Sequence, residues 1–325
     1  MTATGLGFAG LSTFWPLLLV AFVGTLNPSA GDVSVFLPLE HARLSLAVEG
    51  HARTRLFARY SLTGSFCAAL GALAAGVPDV LASAGIDRLT ALRGMFVVYG
   101  GVGAGIWLLY MRMPQRPVAE PTVDPVPLGP SRPIVVRLAA LFSLDSFAGG
   151  LVVNSLLALW LFERFGVSLI LAGVFFFWAG LLGALSQLMA PWVASRIGLL
   201  NTMVFTHIPA SLFLILAALA SSLPLAISFL LLRATLSQMD VPARSAYVMA
   251  VVTPAERAAA ASFTAVPRSL AAALSPSLGG ALIAAGWLAA PLVACGCLKI
   301  AYDLVLWRAF RRHPLSHMVS KVLTN

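Results

Sequence analysis

The stretch PLAISFLLLRATLSQMDVPARSAYVMAVVTPAERAAAASFTAVPRSLAAALSPSLGGALIAAG, residues 224–286, decides the fold class. Its pattern predicts two long apolar helices joined by the short polar link ThrProAlaGluArg at 253–257. Four charged residues lie inside the apolar runs: Arg233, Asp240, Arg244 and Arg268. A charge at the centre of a bilayer costs about 2.5–3.5 kcal/mol on insertion scales, and such residues usually face a bundle interior or a watery cavity. We therefore expect a functional site in this hairpin.

The same layout occurs earlier in the chain, in residues 16–76. PLLLVAFVGTLNPSAGDVSV at 16–35 aligns with PLAISFLLLRATLSQMDVPA at 224–243, so that Asp32 falls on Asp240. Each copy continues with a basic link and a Gly/Ala-rich helix that ends in AlaAlaGly. This repeat runs in the same direction in both copies, which indicates two related halves.

The amino-acid composition indicates that lipid, and not water, surrounds most of the chain. The 325 residues are 59% hydrophobic and only 10% charged, and the mean hydropathy is +0.92, whereas soluble domains carry about 25% charged residues. We predict an all-α multi-pass membrane protein whose partner is the lipid bilayer, because no alternating ten-residue β pattern is present. The net charge of +9 is interpreted as membrane topology, so no nucleic-acid partner is expected.

Hydropathy predicts nine membrane spans, three before a proline-rich polar linker and six after it. The expected spans are residues 14–39, 56–76, 92–111, 135–162, 167–190, 200–221, 224–251, 257–284 and 287–310. We expect Pro28 and Pro38 to kink the first span. The predicted domains are a partial three-helix bundle at 1–112, a cytoplasmic linker at 113–134, a six-helix bundle at 135–312 and a cytoplasmic tail at 313–325.

Arginine and lysine residues concentrate in alternate links between the spans. Because basic residues stay on the cytoplasmic side, this asymmetry predicts an outside N-terminus and a cytoplasmic C-terminus in a cell membrane, inner or plasma.

These features resemble the major facilitator superfamily of secondary transporters, in which two parallel six-helix halves are joined by a long cytoplasmic linker. In that family the link after the second helix of each half carries a Gly, an Asp-Arg pair and a further Gly. ProTrpValAlaSerArgIleGly at 191–198 matches it at Arg196 and Gly198, but Ser195 replaces the acid and Pro191 the first Gly. ProSerLeuGlyGly at 276–280 resembles the Gly-Pro-rich helix of antiporters, which in the family lies in the first half. The resemblance implies transport and favours efflux.

Measured against the family, the nine spans correspond to helices four to twelve. We expect either a translation start placed too late or a truncated chain, since GlyLeuGlyPheAlaGlyLeu at 5–11 resembles the exit of a missing third helix. Missing helices or self-association would then complete the first bundle.

Six charged residues in the spans are candidates for proton coupling or for the substrate cavity: Asp32, Asp145, Asp240, Arg233, Arg244 and Arg268. Asp240 and Arg244 are four residues apart, which also suits a local ion pair. Asp145 has no opposite charge within one turn, so either a proton-binding role or a capped buried polar group fits it.

Two of the charged positions have competing structural explanations. Asp32 suits either coupling or a gating pair at the cytoplasmic end of its helix. Lys299 and Asp303 are also four apart, and we expect them to form a structural ion pair.

The sequence carries no HisGluXXHis, no GlyXSerXGly, no Gly-rich loop with Lys and Ser/Thr, and no Cys/His cluster at metal spacing. We therefore expect no enzyme activity, cofactor or metal. The functional hypothesis is proton-coupled efflux of a small organic compound by a secondary transporter, with that compound and protons as partners. The alternative is a transport-inactive truncated membrane protein or a partner-binding fragment.

Overall fold

The computed structural model describes residues 1–24, 51–112, 127–253 and 256–311. Within those residues all regular structure is helical, which confirms the predicted fold class. The chain divides into two compact units, one formed by residues 1–120 with 168–177 and the other by residues 121–167 with 178–325. The predicted domain boundaries stay a prediction, because residues 113–126 of the linker lie outside the described part of the chain.

Among its described residues, 1–24, 51–112 and 168–177, the first unit contains five helices and the first turns of a sixth. The five are α1 (Thr2–Gly10), α2 (Phe14–Gly24), α3 (His51–Ala74), α4 (Val77–Ser83) and α5 (Arg88–Arg112). Gly5 lets α1 approach α5 closely, since a Cβ there would lie 2.6 Å from the Phe96 carbonyl oxygen. Asp87 caps α5 by accepting hydrogen bonds from the Thr90 backbone N–H at 3.0 Å and the Thr90 hydroxyl at 3.1 Å. These bonds lower the pKa of Asp87.

The second unit contains the remaining helices. They are α6 (Arg132–Gly150), α7 (Asn154–Phe165), α8 (Leu169–Ile197), α9 (Leu199–Leu219), α10 (Leu223–Ala234), α11 (Asp240–Val251), α12 (Arg257–Ala284) and α13 (Ala290–Phe310). The first turns of α8, through Phe177, belong to the first unit. There the Leu169 N–H donates to Asp79 at 2.8 Å.

Two helix pairs form the framework of the second unit: α6 packs along α12, and α9 packs along α13. Glycines permit the first contact, because a Cβ at Gly150 would lie 2.8 Å from the Ala272 carbonyl oxygen, and one at Gly279 would lie 2.6 Å from the Leu151 carbonyl oxygen. Small residues at such crossings let helix backbones pack closely in a membrane. A buried core of Phe142, Tyr302, Leu306 and their neighbours then joins α6, α9, α11 and α13.

Two expected spans, 135–162 and 224–251, are each divided into two helices. The first breaks after Gly149 and Gly150, which have low helix propensity, and the second breaks at residues 235–239. The outer pieces, α7 and α10, are both 12 residues long, which corresponds to about 18 Å at 1.5 Å per residue. Arg164 at the end of α7 donates to the Ala220 carbonyl oxygen before α10 at 3.1 Å, so α7 ends and α10 begins at the same end of the unit. The two breaks therefore lie at similar depth.

The end of the second unit opposite Arg164 and Ala220 is held by one buried carboxylate. Glu256 is 3% exposed and accepts hydrogen bonds from the Gly129 N–H, from the Ser131 hydroxyl at 2.6 Å and from the Thr253 hydroxyl at 2.6 Å. These donors lower the pKa of Glu256 to about 2. The link before α12 is thereby tied to the residues that open α6.

Six helical segments within the described residues are long and apolar enough to span a membrane, compared with the nine spans expected. They are 66–83, 88–112, 132–165, 169–197, 199–219 and 290–310. The difference has physical causes. The first expected span, with Pro28 and Pro38, continues into residues 25–50, which lie outside the described part of the chain. The break shortens α10. Arg, Ser and Pro residues lower the mean hydropathy of α12.

Other boundaries shift as well. The expected span 56–76 ends at Ala74 in α3, and Pro78 opens α4 in its first turn. Residues 191–197, expected to form a link, continue α8 in helical conformation until Gly198, whose φ of +84° favours glycine and ends the helix.

Candidate functional site

Six ionisable side chains from four helices meet inside the second unit. Asp145 comes from α6, His207 from α9, Asp240 and Arg244 from α11, and Lys299 and Asp303 from α13. We call these six residues the charged network. The helix pairs that form the framework of the unit also bring the network together.

Arg244 joins two carboxylates. Its Nη2 donates to Asp145 Oδ2 at 2.9 Å, and the same nitrogen contacts Asp240 Oδ2 one turn earlier on α11. The guanidinium carbon lies 5.2 Å from the centre of the Phe142 ring, a cation–π distance. The ion pair between Asp240 and Arg244, one of the two interpretations of their spacing, is therefore present and extends to α6.

Asp145 is the centre of the charged network. While Oδ2 accepts from Arg244, Oδ1 accepts from Lys299 Nζ at 2.7 Å. The carboxylate thus binds one cation from α11 and another from α13. Its predicted lack of a partner within one turn is correct for its own helix, and its partners come from other helices.

His207 connects Lys299 to the third carboxylate. Its Nδ1 lies 3.0 Å from Asp303 Oδ2 and 3.2 Å from Oδ1, and its Nε2 lies 3.3 Å from Lys299 Nζ. The Nε2 atom is also 3.9 Å from Asp145 Oδ1. The network therefore runs from Asp303 through His207, Lys299, Asp145 and Arg244 to Asp240.

The network is almost fully removed from solvent. The exposed fraction is 0% for Asp303, 4% for Asp145 and Asp240, 5% for His207 and 8% for Arg244. Three carboxylates face two fixed cations, so the network has one negative charge when His207 is neutral and none when it holds one proton. A buried net charge is expensive in a low-dielectric interior, so this arrangement favours one bound proton.

Two donors beside the network lack an acceptor among the residues that the structure describes. They are Arg244 Nε and the Tyr302 hydroxyl, both buried. The Tyr302 ring also packs edge-on against His207, with the ring centres 6.3 Å apart.

The structure brings three of the six predicted site residues together: Asp145, Asp240 and Arg244. Arg233 ends α10 at the break, half-buried, beside Cys295, and no ion pair of its guanidinium occurs within the described ranges. Arg268 lies half-buried on α12, and Asp32 lies outside the described residues.

The predicted ion pair between Lys299 and Asp303 is wrong. Both side chains face the same way, as their spacing requires, but Lys299 bonds Asp145 and Asp303 bonds His207. The sequence analysis also missed His207. An ionisable residue in the middle of the apolar run 199–219 was the signal that could have identified it.

In the part of the chain that the structure describes, no group of three His, Cys, Asp or Glu side chains is arranged to hold a metal ion.

Comparison with solved structures identifies the architecture. A bacterial homolog to human lysosomal transporter, Spinster, in an inward-facing, occupied conformation superimposes with a TM-score of 0.63 at 20% identity, over 97% of this chain and 82% of that one. Its unoccupied, inward-facing form gives 0.62 at 18% identity, over 95% and 78%. The chain has the major facilitator fold.

Two further comparisons bear on the assignment. The nucleoside transporter NupG, another protein with the major facilitator fold, matches with a TM-score of 0.60 at 14% identity, over 95% of this chain and 80% of that one. In sequence, the chain is 22% identical to "Uncharacterized membrane protein YJR124C" of Saccharomyces cerevisiae over 94% of this chain and 76% of that protein. No family model matches the chain.

Proposed function

We propose that the chain is a secondary active transporter of the major facilitator type that exports a small organic compound in exchange for protons. The observation that carries the proposal is the buried charged network with one carboxylate more than its fixed cations. A network kept only for stability would gain little, because well-packed apolar residues are often as stable as buried ion pairs. In a network that binds and releases one proton, the extra carboxylate balances the charge of that proton.

The bonding pattern also supports a role in a moving protein. Asp145 bonds cations from two helices, and Arg244 bonds carboxylates from two helices. If the helices shift during alternating access, these bonds can be exchanged between partners without leaving a charge unpaired.

The broken helices support a site at the level of the network. Discontinuous helices near the midplane are typical of binding sites in secondary transporters. Here the break of α6 and α7 follows Asp145 by two turns, and the break of α10 and α11 immediately precedes Asp240. Arg233 ends α10 at this level, and we propose it, with Arg268, as a residue of the substrate cavity. Asp32 remains a coupling candidate from its position in the repeat.

Named transporters among the structural neighbours agree with a non-enzymatic role. The proposed location is the cell membrane, with the N-terminus outside and the C-terminus in the cytoplasm, which rests on the distribution of arginine and lysine.

The proposal is tested by efflux from cells. Cells that express the wild-type chain, or the chain extended by any upstream in-frame helices, are loaded with a panel of fluorescent organic compounds, and loss of fluorescence is followed with and without a protonophore. We expect proton-dependent efflux that Asp145→Asn and Asp240→Asn reduce at least tenfold, because asparagine retains the side-chain volume but removes the negative charge that the bound proton balances. Asp87→Asn is the matched control, since this exposed carboxylate caps α5 outside the network.

Either of two results would contradict the proposal. If neither form of the chain moves any compound, the alternative of a transport-inactive or partner-binding protein is favoured. If both network variants keep efflux that responds to the protonophore like that of the wild type, coupling does not depend on Asp145 or Asp240.

A further inference from the structure

His207 is surrounded by charged and titratable groups from two neighbouring helices. Asp303, Lys299 and Tyr302 approach it from α13, and Asp145 approaches from α6. On α9 itself the adjacent turns present the hydroxyls of Thr206 and Ser211 and no charge. With 5% of its surface exposed, His207 depends on these groups for every polar contact that the structure gives its ring.

The partners assign the tautomer of the ring. A lysine ammonium has three donors and no acceptor, so Lys299 Nζ at 3.3 Å from Nε2 requires Nε2 to accept. Nδ1 must then carry the proton of the neutral ring, and it donates to the carboxylate of Asp303 at 3.0 Å. His207 is therefore poised as the neutral Nδ1–H tautomer with a lone pair on Nε2.

Protonation of Nε2 is incompatible with this arrangement. The new N–H would point at the Lys299 ammonium, so a hydrogen bond would be replaced by two like charges 3.3 Å apart. The nearest carboxylate oxygen for that N–H is Asp145 Oδ1, 3.9 Å from Nε2, and the same oxygen now accepts from Lys299 at 2.7 Å. Protonated His207 and Lys299 thus compete for one oxygen.

We propose that Nε2 of His207 is the proton-accepting atom of the network, and that its protonation displaces Lys299 from Asp145 Oδ1. The inference rests on the proposed function of proton-coupled transport and specifies its proton site. The proton comes from water when alternating access opens the site to one side of the membrane, and it adds to the lone pair of Nε2. It returns to water when Lys299 recovers its bond, and no other bond is made or broken. Lys299 is the positioning residue that links proton binding to the pairing of α6 with α13.

Nitrogen NMR of the imidazole ring tests this directly. The other four histidines, His41, His51, His313 and His317, are replaced by Gln, so that His207 alone is observed in purified, 15N-histidine-labelled protein. We expect the Nδ1–H tautomer at high pH and protonation of Nε2 when the sample is acidified. The opposite tautomer, or a ring whose Nε2 stays unprotonated on acidification, would overturn the proposal.

Variants of the neighbours supply readouts that a merely structural histidine would not move. Lys299→Gln removes the competing cation, so the midpoint of His207 protonation should rise by at least one pH unit, a tenfold gain in proton affinity. Lys299→Arg, which keeps the charge, should shift it much less. Asp303→Asn removes the anion that stabilises the charged ring and should lower the midpoint. An unchanged midpoint in Lys299→Gln would refute the competition, even if efflux itself were lost.

Failure of this inference and failure of the proposed function give different results. The NMR titration uses detergent-solubilised protein without a gradient or a substrate, whereas efflux is measured in cells. Proton-dependent efflux that persists in His207→Gln would retain the transporter and reject His207 as its proton site.

Discussion

The crossing of α6 and α12 gives a stability prediction whose size can be worked from the structure. An added Cβ at Gly279 would lie 2.6 Å from the Leu151 carbonyl oxygen and 3.0 Å from a methyl of Leu156, whereas ordinary contacts begin at about 3.4 Å. The neighbouring Gly280 is open by comparison, since its nearest atom would be a Leu156 methyl at 3.8 Å. Gly279→Ala must therefore separate the two helices by several tenths of an ångström, and Gly280→Ala need not.

The effects of the two substitutions on the free energy of unfolding differ in one contribution only. Each exchanges glycine for alanine inside α12 and gains about 1 kcal/mol of helix propensity. Overpacking against the backbone costs about 1–3 kcal/mol and applies to Gly279→Ala alone. Since the propensity gain cancels in the comparison, the variants should differ by about 1–3 kcal/mol, and each kcal/mol corresponds to about 1.5 °C of melting temperature in a chain of 325 residues.

Thermal unfolding in detergent, followed by tryptophan fluorescence, measures the difference. We expect Gly280→Ala to melt at or above the wild-type temperature and Gly279→Ala to melt below it. Equal melting temperatures for the two variants would show that α6 and α12 do not approach each other as described. Leu151 begins the break between α6 and α7, so the same clash should also slow efflux by Gly279→Ala.

Two further predictions concern the ends of the second unit and the sides of the membrane. The pKa of Glu256 is lowered from its ordinary 4.5 to about 2, so its contribution to stability is fully present above pH 4.5 and is lost as the pH falls towards 2. The melting temperature of Glu256→Gln should therefore lie below that of the wild type at pH 7, and the difference should shrink from pH 5 to pH 3. The control is the same change at the exposed Glu163. A difference in melting temperature that stays constant with pH would contradict the role of Glu256. Reporter fusions should place residues 113–134 and the tail after Arg311 in the cytoplasm and the link at Asp87 outside; a linker accessible only from outside would refute the topology.

Hydropathy and the internal repeat can be read from the sequence without knowing which helices pack together, and they therefore predicted the fold class well. The sequence placed Asp145, Asp240 and Arg244 among the site residues for the same reason, since a charge within an apolar helix needs a partner wherever that partner comes from. The spacing of Lys299 and Asp303 showed correctly that they share a face. It could not show which helix lies opposite that face, and packing against α6 and α9 gave each a partner other than its neighbour.

The broken spans were harder to predict for a related reason. Gly149 and Gly150 weaken α6 only slightly in isolation, and the polar residues at 235–239 are compatible with a helix. The first break lies at a tertiary contact that the sequence does not reveal, the close approach of Gly279 to the Leu151 carbonyl oxygen. His207 was missed because a single histidine in an apolar run gives no charge pattern until the carboxylate on α13 is seen beside it.

Proton uptake by the purified protein tests the central claim, that the network holds one exchangeable proton because its three carboxylates face two fixed cations. An unbuffered detergent solution is acidified from pH 9 to pH 5, and protons bound per molecule are counted with a pH-sensitive dye. We expect the wild type and Asp87→Asn to bind about one proton more than Asp145→Asn, whose network is neutral without it. Equal proton uptake by the wild type and Asp145→Asn would contradict the account.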